Sequence, residues 1–233
     1  MAGREREDLD ASVRRADPER WLTSRFVADR AAREDLIALY AFDHELARAS
    51  RVAREPLVQE MRLAWWREAL DEIAAGRPVR AHPVARALER AVRRRRLAPA
   101  ELEAMIDGHL IALGSGALAL PEALGFADLA EGAAVRLAVR ILDAAASADD
   151  AAPAGRAWGL ALLLRARRAR REALAGPLAE ALAAARSGAR RLGIAAFPAV
   201  LPARLARFDL AGRTPGPLAK RASLTAAALS GRV

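Results

Sequence analysis

The segment REDLIALYAFDHELARASRV, residues 33–52, decides the fold class of this chain. Its apolar side chains recur every three to four residues, which is the repeat of an α-helix that buries one side. The residues on and beside that side are Leu36, Leu39, Tyr40, Phe42, Asp43, Leu46 and Ala47. We therefore predict a long helix over residues 33–52, with this face in the protein core.

The placement of proline and alanine predicts that the rest of the chain is helical as well. Alanine supplies about a quarter of the 233 residues and aromatic residues only 4%, so residues that favour strands are scarce. Because proline fits the first turn of a helix, we predict helix starts at Asp17-Pro18, Glu55-Pro56, His82-Pro83 and Ala98-Pro99. Composition and start signals together favour one all-α domain of eight or nine helices.

The two ends of the chain differ from its middle. Residues 1–16 are predicted to be a flexible N-terminal tail, and residues 17–208 a single helical domain without a linker. Residues 209–233 contain Pro215 and Pro217 and are predicted to form a loosely held C-terminal tail.

Positive charge is abundant and comes almost entirely from arginine. The formal net charge is +9, and Lys220 is the only lysine, so anionic partners are permitted. The run Arg93–Arg96 is interpreted as a solvated helix end that complements the helix dipole, with contact to anionic lipid or nucleic acid as the alternative. Nucleic-acid binding is not favoured, because the arginines are spread along the chain and Tyr40 is the only tyrosine.

The sequence also indicates a location. The absence of cysteine excludes disulfides and thiolate metal sites and is typical of a reducing compartment. The first ten residues, MAGREREDLD, lack the apolar core of a secretory signal. The longest apolar runs, 157–164 and 194–203, are shorter than the roughly 20 residues of a membrane span. We predict a cytoplasmic protein, peripheral at most on the inner membrane.

Standard catalytic motifs are missing. His44, His82 and His109 do not have the spacing of a metal-binding motif, and we interpret each of them as structural. The sequence contains neither a phosphate-binding glycine loop nor a nucleophile elbow. Another kind of pattern must therefore identify the function.

Four short elements supply that pattern. They are ALYAF at 38–42, WR at 66–67, HPVARAL at 82–88 and GRAWGLALLLR at 155–165. In this order and spacing they resemble the squalene and phytoene synthase family, over about residues 17–208. The resemblance implies an all-α isoprenoid synthase-type helical bundle around a central cavity. It also implies that active relatives join two prenyl diphosphates head to head, using magnesium ions held by two aspartate-rich motifs.

The sequence departs from the family at those motifs. The resemblance aligns the three aspartates of the first motif with Ala47, Arg48 and Arg51, and those of the second with Ala166 and Arg170. Since none of these residues is acidic, a magnesium site of the usual kind is not expected, and no cofactor is predicted. Guanidinium groups can instead bind phosphate. We therefore predict that a diphosphate or lipid headgroup binds at Tyr40, Arg48, Arg51, Arg165 and Arg170.

Two functions are open at this point. The altered motifs resemble a branch of the family that includes a mitochondrial assembly factor of respiratory complex I, with Glu45-Leu46-Ala47 following the YAF element. This favours a non-catalytic accessory or assembly factor with a prenyl lipid or diphosphate ligand, a protein partner and a place at an anionic membrane surface. The alternative is a prenyltransferase of isoprenoid biosynthesis with an altered site that binds prenyl diphosphates, which would still use magnesium.

Overall fold

The structure, a computed structural model, describes residues 2–52, 55–114 and 116–233, without the side chains of residues 2–8 and 50–52. Within these ranges the chain forms twelve α-helices and no strand, which confirms the all-α class. A π-helical turn over Ala127–Gly132 leads into α8. The helices are α1 Ala2–Ala16, α2 Pro18–Ser24, α3 Arg30–Val52, α4 Pro56–Ala74, α5 Pro83–Arg95, α6 Pro99–Ile111, α7 Leu120–Phe126, α8 Ala133–Leu142, α9 Ala152–Arg165, α10 Arg171–Ala189, α11 Ala203–Leu210 and α12 Pro217–Ser230.

The predicted helix starts are confirmed. Helices α2, α4, α5 and α6 each begin at the proline of a predicted pair. At α2 the Asp17 side chain also caps the helix, because its Oδ1 accepts a hydrogen bond of 2.8 Å from the backbone N–H of Arg20. Proline lacks the N–H that would be unsatisfied in a first turn, so these helices begin at low energetic cost.

Helix α3 lies at the centre of the core, as its periodicity predicts. Leu36, Leu39 and Phe42 have no exposed surface. The helix packs against α1, α4, α5 and α8, and the Phe42 ring meets the Trp66 ring edge to face at 5.2 Å between centroids. On the other side of the bundle, α9 packs against α10 and the π-helical turn. The burial of these apolar faces holds the bundle together.

Glycines bring the π-helical turn into backbone contact with α6 and α9. A Cβ atom added to Gly155 would lie 2.4 Å from the carbonyl oxygen of Glu131, and one added to Gly108 would lie 2.4 Å from the backbone nitrogen of Ala130. At these distances a side chain at either position would have to displace backbone atoms of the π-helical turn. The π-helical turn, including Glu131, is therefore fixed between α6 and α9.

Both ends of the chain differ from the predicted tails. Helix α1 occupies residues 2–16 and packs against α3, with Leu9 and Val13 buried. Helix α12 occupies most of residues 209–233, buries Leu224 and packs against α2 and α11, and Lys220 forms an ion pair with Glu19. A few apolar side chains at helical spacing are enough to attach each terminal helix to the core. Together with α7, which was not predicted, these two helices raise the number from the predicted eight or nine to twelve in the described residues.

None of the described helices combines the length and the apolar character that crossing a membrane requires.

We expect Gly155→Ala to lower the free energy of unfolding by about 1–3 kcal/mol, because the added methyl group must displace backbone atoms of the π-helical turn. The matched control is Gly176→Ala in α10, where an added Cβ meets no atom within 4 Å. The control should leave stability unchanged or raise it by at most about 1 kcal/mol. Urea denaturation of both variants measures the difference. Equal effects of the two substitutions would contradict the close packing at Gly155.

Candidate functional site

The bundle contains a cavity of about 470 Å³ that is open to solvent. Side chains of α2, α3, α6, α9 and the π-helical turn line it, and they include both charged and apolar residues. Its volume lies within the range of ligand sites in proteins. The lining includes Arg20, Tyr40, Asp43, His109, Glu131, Phe126, Trp158 and Leu162.

A buried guanidinium, that of Arg20, contacts the acidic residues of the cavity lining. Arg20 is 5% exposed, and its Nε donates to Asp17 Oδ2 at 2.6 Å while its Nη2 donates to Asp43 Oδ2 at 2.8 Å. The same Nη2 makes a long hydrogen bond of 3.4 Å to Glu131 Oε1. The other oxygen of Asp43, Oδ1, lies 2.8 Å from His109 Nε2. One cation thereby joins α2, α3 and the π-helical turn.

The charges of this cluster shift one another's protonation. Burial alone would raise the pKa of Asp43, but Arg20 and His109 outweigh it and hold this pKa well below its ordinary range. Burial raises the pKa of Glu131 to about 8, because the more distant Arg20 compensates it only in part and Asp43 repels its charge. Near neutral pH, Asp43 is therefore a carboxylate, and Glu131 is largely a neutral acid.

The cationic groups on the cavity wall are already occupied by protein acceptors. Arg20 is compensated by Asp17 and Asp43. Arg168 donates to the carbonyl oxygens of Gly116 at 2.7 Å and Ala112 at 3.2 Å. An anionic ligand would have to displace these contacts, whereas the apolar part of the wall is open to a hydrocarbon chain.

The predicted binding residues do not converge on this cavity. Tyr40 lies on its wall, 4% exposed, with the Arg20 guanidinium 5.2 Å from its ring centre. Arg48 instead pairs with Glu45 at 2.8 Å, one helical turn away on the same helix. Arg165 forms two hydrogen bonds to Asp209 and lies 4.6 Å from the Trp158 ring centre.

Arg51 and Arg170, the other two predicted residues, also give no support for a single phosphate-binding site. The side chain of Arg170 is 86% exposed, and its nearest carboxylate, Glu172, is 3.9 Å away. Arg51 belongs to α3, but its side chain lies outside the described residues. Arg48, Arg165 and Arg170 do not line the cavity: carboxylates compensate the first two, and solvent surrounds the third.

Two alanines take the place of the expected carboxylates on the cavity wall. Ala47 of α3 and Ala166 after α9 line the cavity, and the resemblance places the first aspartate of each motif at these two positions. Their methyl groups cannot bind a metal ion.

The acids that are present do not fit magnesium. No group of three or more histidines, aspartates or glutamates in the described residues has an arrangement that could hold a metal ion. Asp17, Asp43 and Glu131 surround the guanidinium of Arg20, so their oxygens already face a cation of the protein itself. We therefore derive no metal-dependent step from this site.

Sequence reasoning did not find the charged cluster. The helix start at Asp17-Pro18 was predicted, but no local pattern connects Arg20 to partners that are 23 and 111 residues away. Glu131 lies in a π-helical turn, where the 3.6-residue repeat that reveals buried positions does not apply. The interpretation of His109 as structural agrees with its contact to Asp43.

The protonation of Glu131 makes stability depend on pH. Its pKa in the folded protein, about 8, lies above the ordinary 4.5, so the folded state keeps a proton that the unfolded chain releases. Stability contributed by this proton is present below pH 4.5 and is lost as the pH rises towards 8. Glutamine cannot ionise, so we expect the free energy of unfolding of Glu131→Gln to fall less than that of wild type between pH 5 and pH 8. The difference should not exceed a few kcal/mol, because one pKa unit corresponds to ~1.4 kcal/mol.

Urea denaturation at pH 5, 6, 7 and 8 measures this difference. Glu172→Gln is the matched control, since Glu172 is exposed on α10 and its side chain is 82% accessible. The control should follow the wild-type pH profile. If Glu131→Gln also followed it, Glu131 would not hold a proton in the folded protein.

Comparisons with known proteins agree with this architecture. In structure the chain is similar to the squalene synthase HpnC from Alicyclobacillus acidocaldarius, with a TM-score of 0.65 over 97% of this chain and 94% of that one. The two share 15% sequence identity, so the likeness concerns the fold. No curated protein sequence matches this chain. The squalene/phytoene synthase family model matches residues 13–170, more than half of the length. The chain belongs to the squalene/phytoene synthase family.

Proposed function

We propose that this family member is a non-catalytic accessory protein of the respiratory-complex assembly type, whose cavity holds a prenyl lipid or prenyl diphosphate. The observation that carries the proposal is the presence of Ala47 and Ala166 on the cavity wall. Allylic diphosphate departure in active relatives requires carboxylate-bound magnesium, and methyl groups supply no ligand for it. The cavity is retained, but the groups that would do the chemistry differ.

The charge distribution favours the prenyl part of a ligand over its diphosphate. Arg20 and Arg168 already donate hydrogen bonds to protein oxygens. The apolar wall, with Leu162 and Trp158, suits an isoprenoid chain. A prenyl lipid therefore fits the cavity with fewer displaced contacts. Such a ligand also agrees with a cytoplasmic protein that works at the inner face of a membrane, next to the complex it helps to assemble.

We expect purified protein to form no head-to-head product from farnesyl or geranylgeranyl diphosphate with magnesium, in the presence or absence of a nicotinamide reductant. Organic extraction followed by gas chromatography and mass spectrometry detects such products. The Alicyclobacillus squalene synthase, assayed in parallel, verifies that the conditions support turnover. Product formed at a rate comparable with that enzyme would overturn the proposal in favour of a prenyltransferase with an altered site.

The assembly role predicts a cellular phenotype. Cells that lack the gene should contain less assembled complex I, as seen in native gels and in NADH oxidation by their membranes, and the wild-type gene should restore it. Ala47→Trp fills the cavity with an indole ring and should restore it poorly. Ala64→Trp, at an exposed position on α4, is the matched control and should restore it fully. Normal complex I in the deletion strain would refute the assembly role.

A further inference from the structure

A second hollow of about 500 Å³ lies between α1, α3 and α5, and it shares no lining residue with the cavity. We call it the arginine groove. Its floor is apolar, formed by the buried side chains of Leu9, Ile37 and Ala87. Three carboxylates, those of Asp10, Glu34 and Asp35, also line it. Six arginines complete the lining, namely Arg14, Arg25, Arg30, Arg33, Arg90 and Arg94.

The carboxylates of the groove are committed to holding arginines in place. Asp35 is only 3% exposed, and it accepts hydrogen bonds from Arg94 at 2.9 Å and from Arg95 at 2.7 Å. Asp10 accepts from Arg25 at 2.7 Å and from the indole N–H of Trp21 at 2.9 Å. Because each of these acids already compensates at least one guanidinium, the groove retains an excess of positive charge.

Several guanidiniums keep donors available to a ligand. Arg90 of α5 is exposed and makes no hydrogen bond or ion pair with the described residues. Arg14 of α1 lies over the Trp21 ring, 5.0 Å from its centre, and makes no hydrogen bond or ion pair with the described residues. Arg30 of α3 pairs only with Glu34, and 84% of its side chain is exposed. The available donors thus come from three different helices.

We propose that the arginine groove binds the phosphate or diphosphate group of an amphiphilic ligand, with the apolar part of that ligand on the groove floor. Guanidinium matches two phosphate oxygens with two parallel N–H groups, which makes arginine the preferred partner of phosphate. The groove differs in this respect from the cavity, where the guanidiniums are occupied by protein oxygens. No cavity residue takes part, so this site does not depend on the proposed accessory function.

The basic run Arg93–Arg96 adds to the positive field at one end of the groove. Arg94 and Arg95 belong to this run and are held by Asp35, which is on the opposite wall. A solvated helix end would not require a buried carboxylate such as Asp35 to hold Arg94 and Arg95 in place. The contact to anionic lipid, predicted as the alternative for this run, is therefore consistent with the groove.

The test compares two double variants that remove the same charge. Arg30→Gln/Arg90→Gln removes one exposed donor from each wall, and Arg62→Gln/Arg77→Gln, at exposed positions outside the groove, is the matched control. Calorimetric titration with inorganic pyrophosphate probes a free phosphate ligand. Flotation with phosphatidylcholine vesicles, with and without phosphatidic acid, probes a lipid headgroup. Thermal denaturation verifies that both variants are folded.

We expect wild type and the control variant to bind at least one of the two probes with similar affinity, and the groove variant to bind it at least ~10-fold more weakly. Binding of pyrophosphate identifies a soluble phosphorylated ligand, and binding restricted to phosphatidic acid vesicles identifies a lipid headgroup. Absence of wild-type binding to both probes would overturn the proposal. Equal weakening in the two variants would also overturn it, because net charge alone would then explain the affinity.

Discussion

The buried guanidinium of Arg20 is the interaction on which the arrangement of the cavity depends. It joins Asp17 at the start of α2, Asp43 in the middle of α3 and Glu131 in the π-helical turn. A buried charge is tolerated only when partners compensate it, and removal of one partner of such a pair costs about 3–5 kcal/mol. The three segments are therefore held in one geometry by electrostatics, in addition to the apolar packing of α3.

The same compensation limits what the cavity can do chemically. Acids that surround an arginine are unavailable to a metal ion, and an arginine that is surrounded by acids attracts anions only weakly. On the cavity wall, where alanine occupies positions 47 and 166, the charges of Arg20, Asp17 and Asp43 compensate one another. The helices pack through apolar faces and glycine contacts, so the packing of the bundle does not require carboxylates at positions 47 and 166.

The sequence reveals the helices better than the site. Proline positions fix where α2, α4, α5 and α6 begin, because the effect of proline on a first helical turn is local. The face of α3 follows from periodicity for the same reason. The partners of Arg20 lie in distant segments of the chain. The side chain of Arg48 could face solvent, Glu45 or the cavity, and local sequence does not decide among them. Helix α1 was predicted as a flexible tail and α12 only as part of a loosely held one, because their few buried side chains become informative only beside the core that receives them.

The distribution of arginine explains how a chain with a net charge of +9 keeps an apolar interior. Where an arginine is buried, as at position 20, at least two acids accompany it. Most of the others lie on the surface, where water screens them and pairing contributes little. Excess positive charge therefore accumulates where helices meet at the surface and acids are outnumbered, as they are between α1, α3 and α5. Unpaired positive charge is thus greater in that groove than on the cavity wall, where Arg20 and Arg168 donate to protein oxygens.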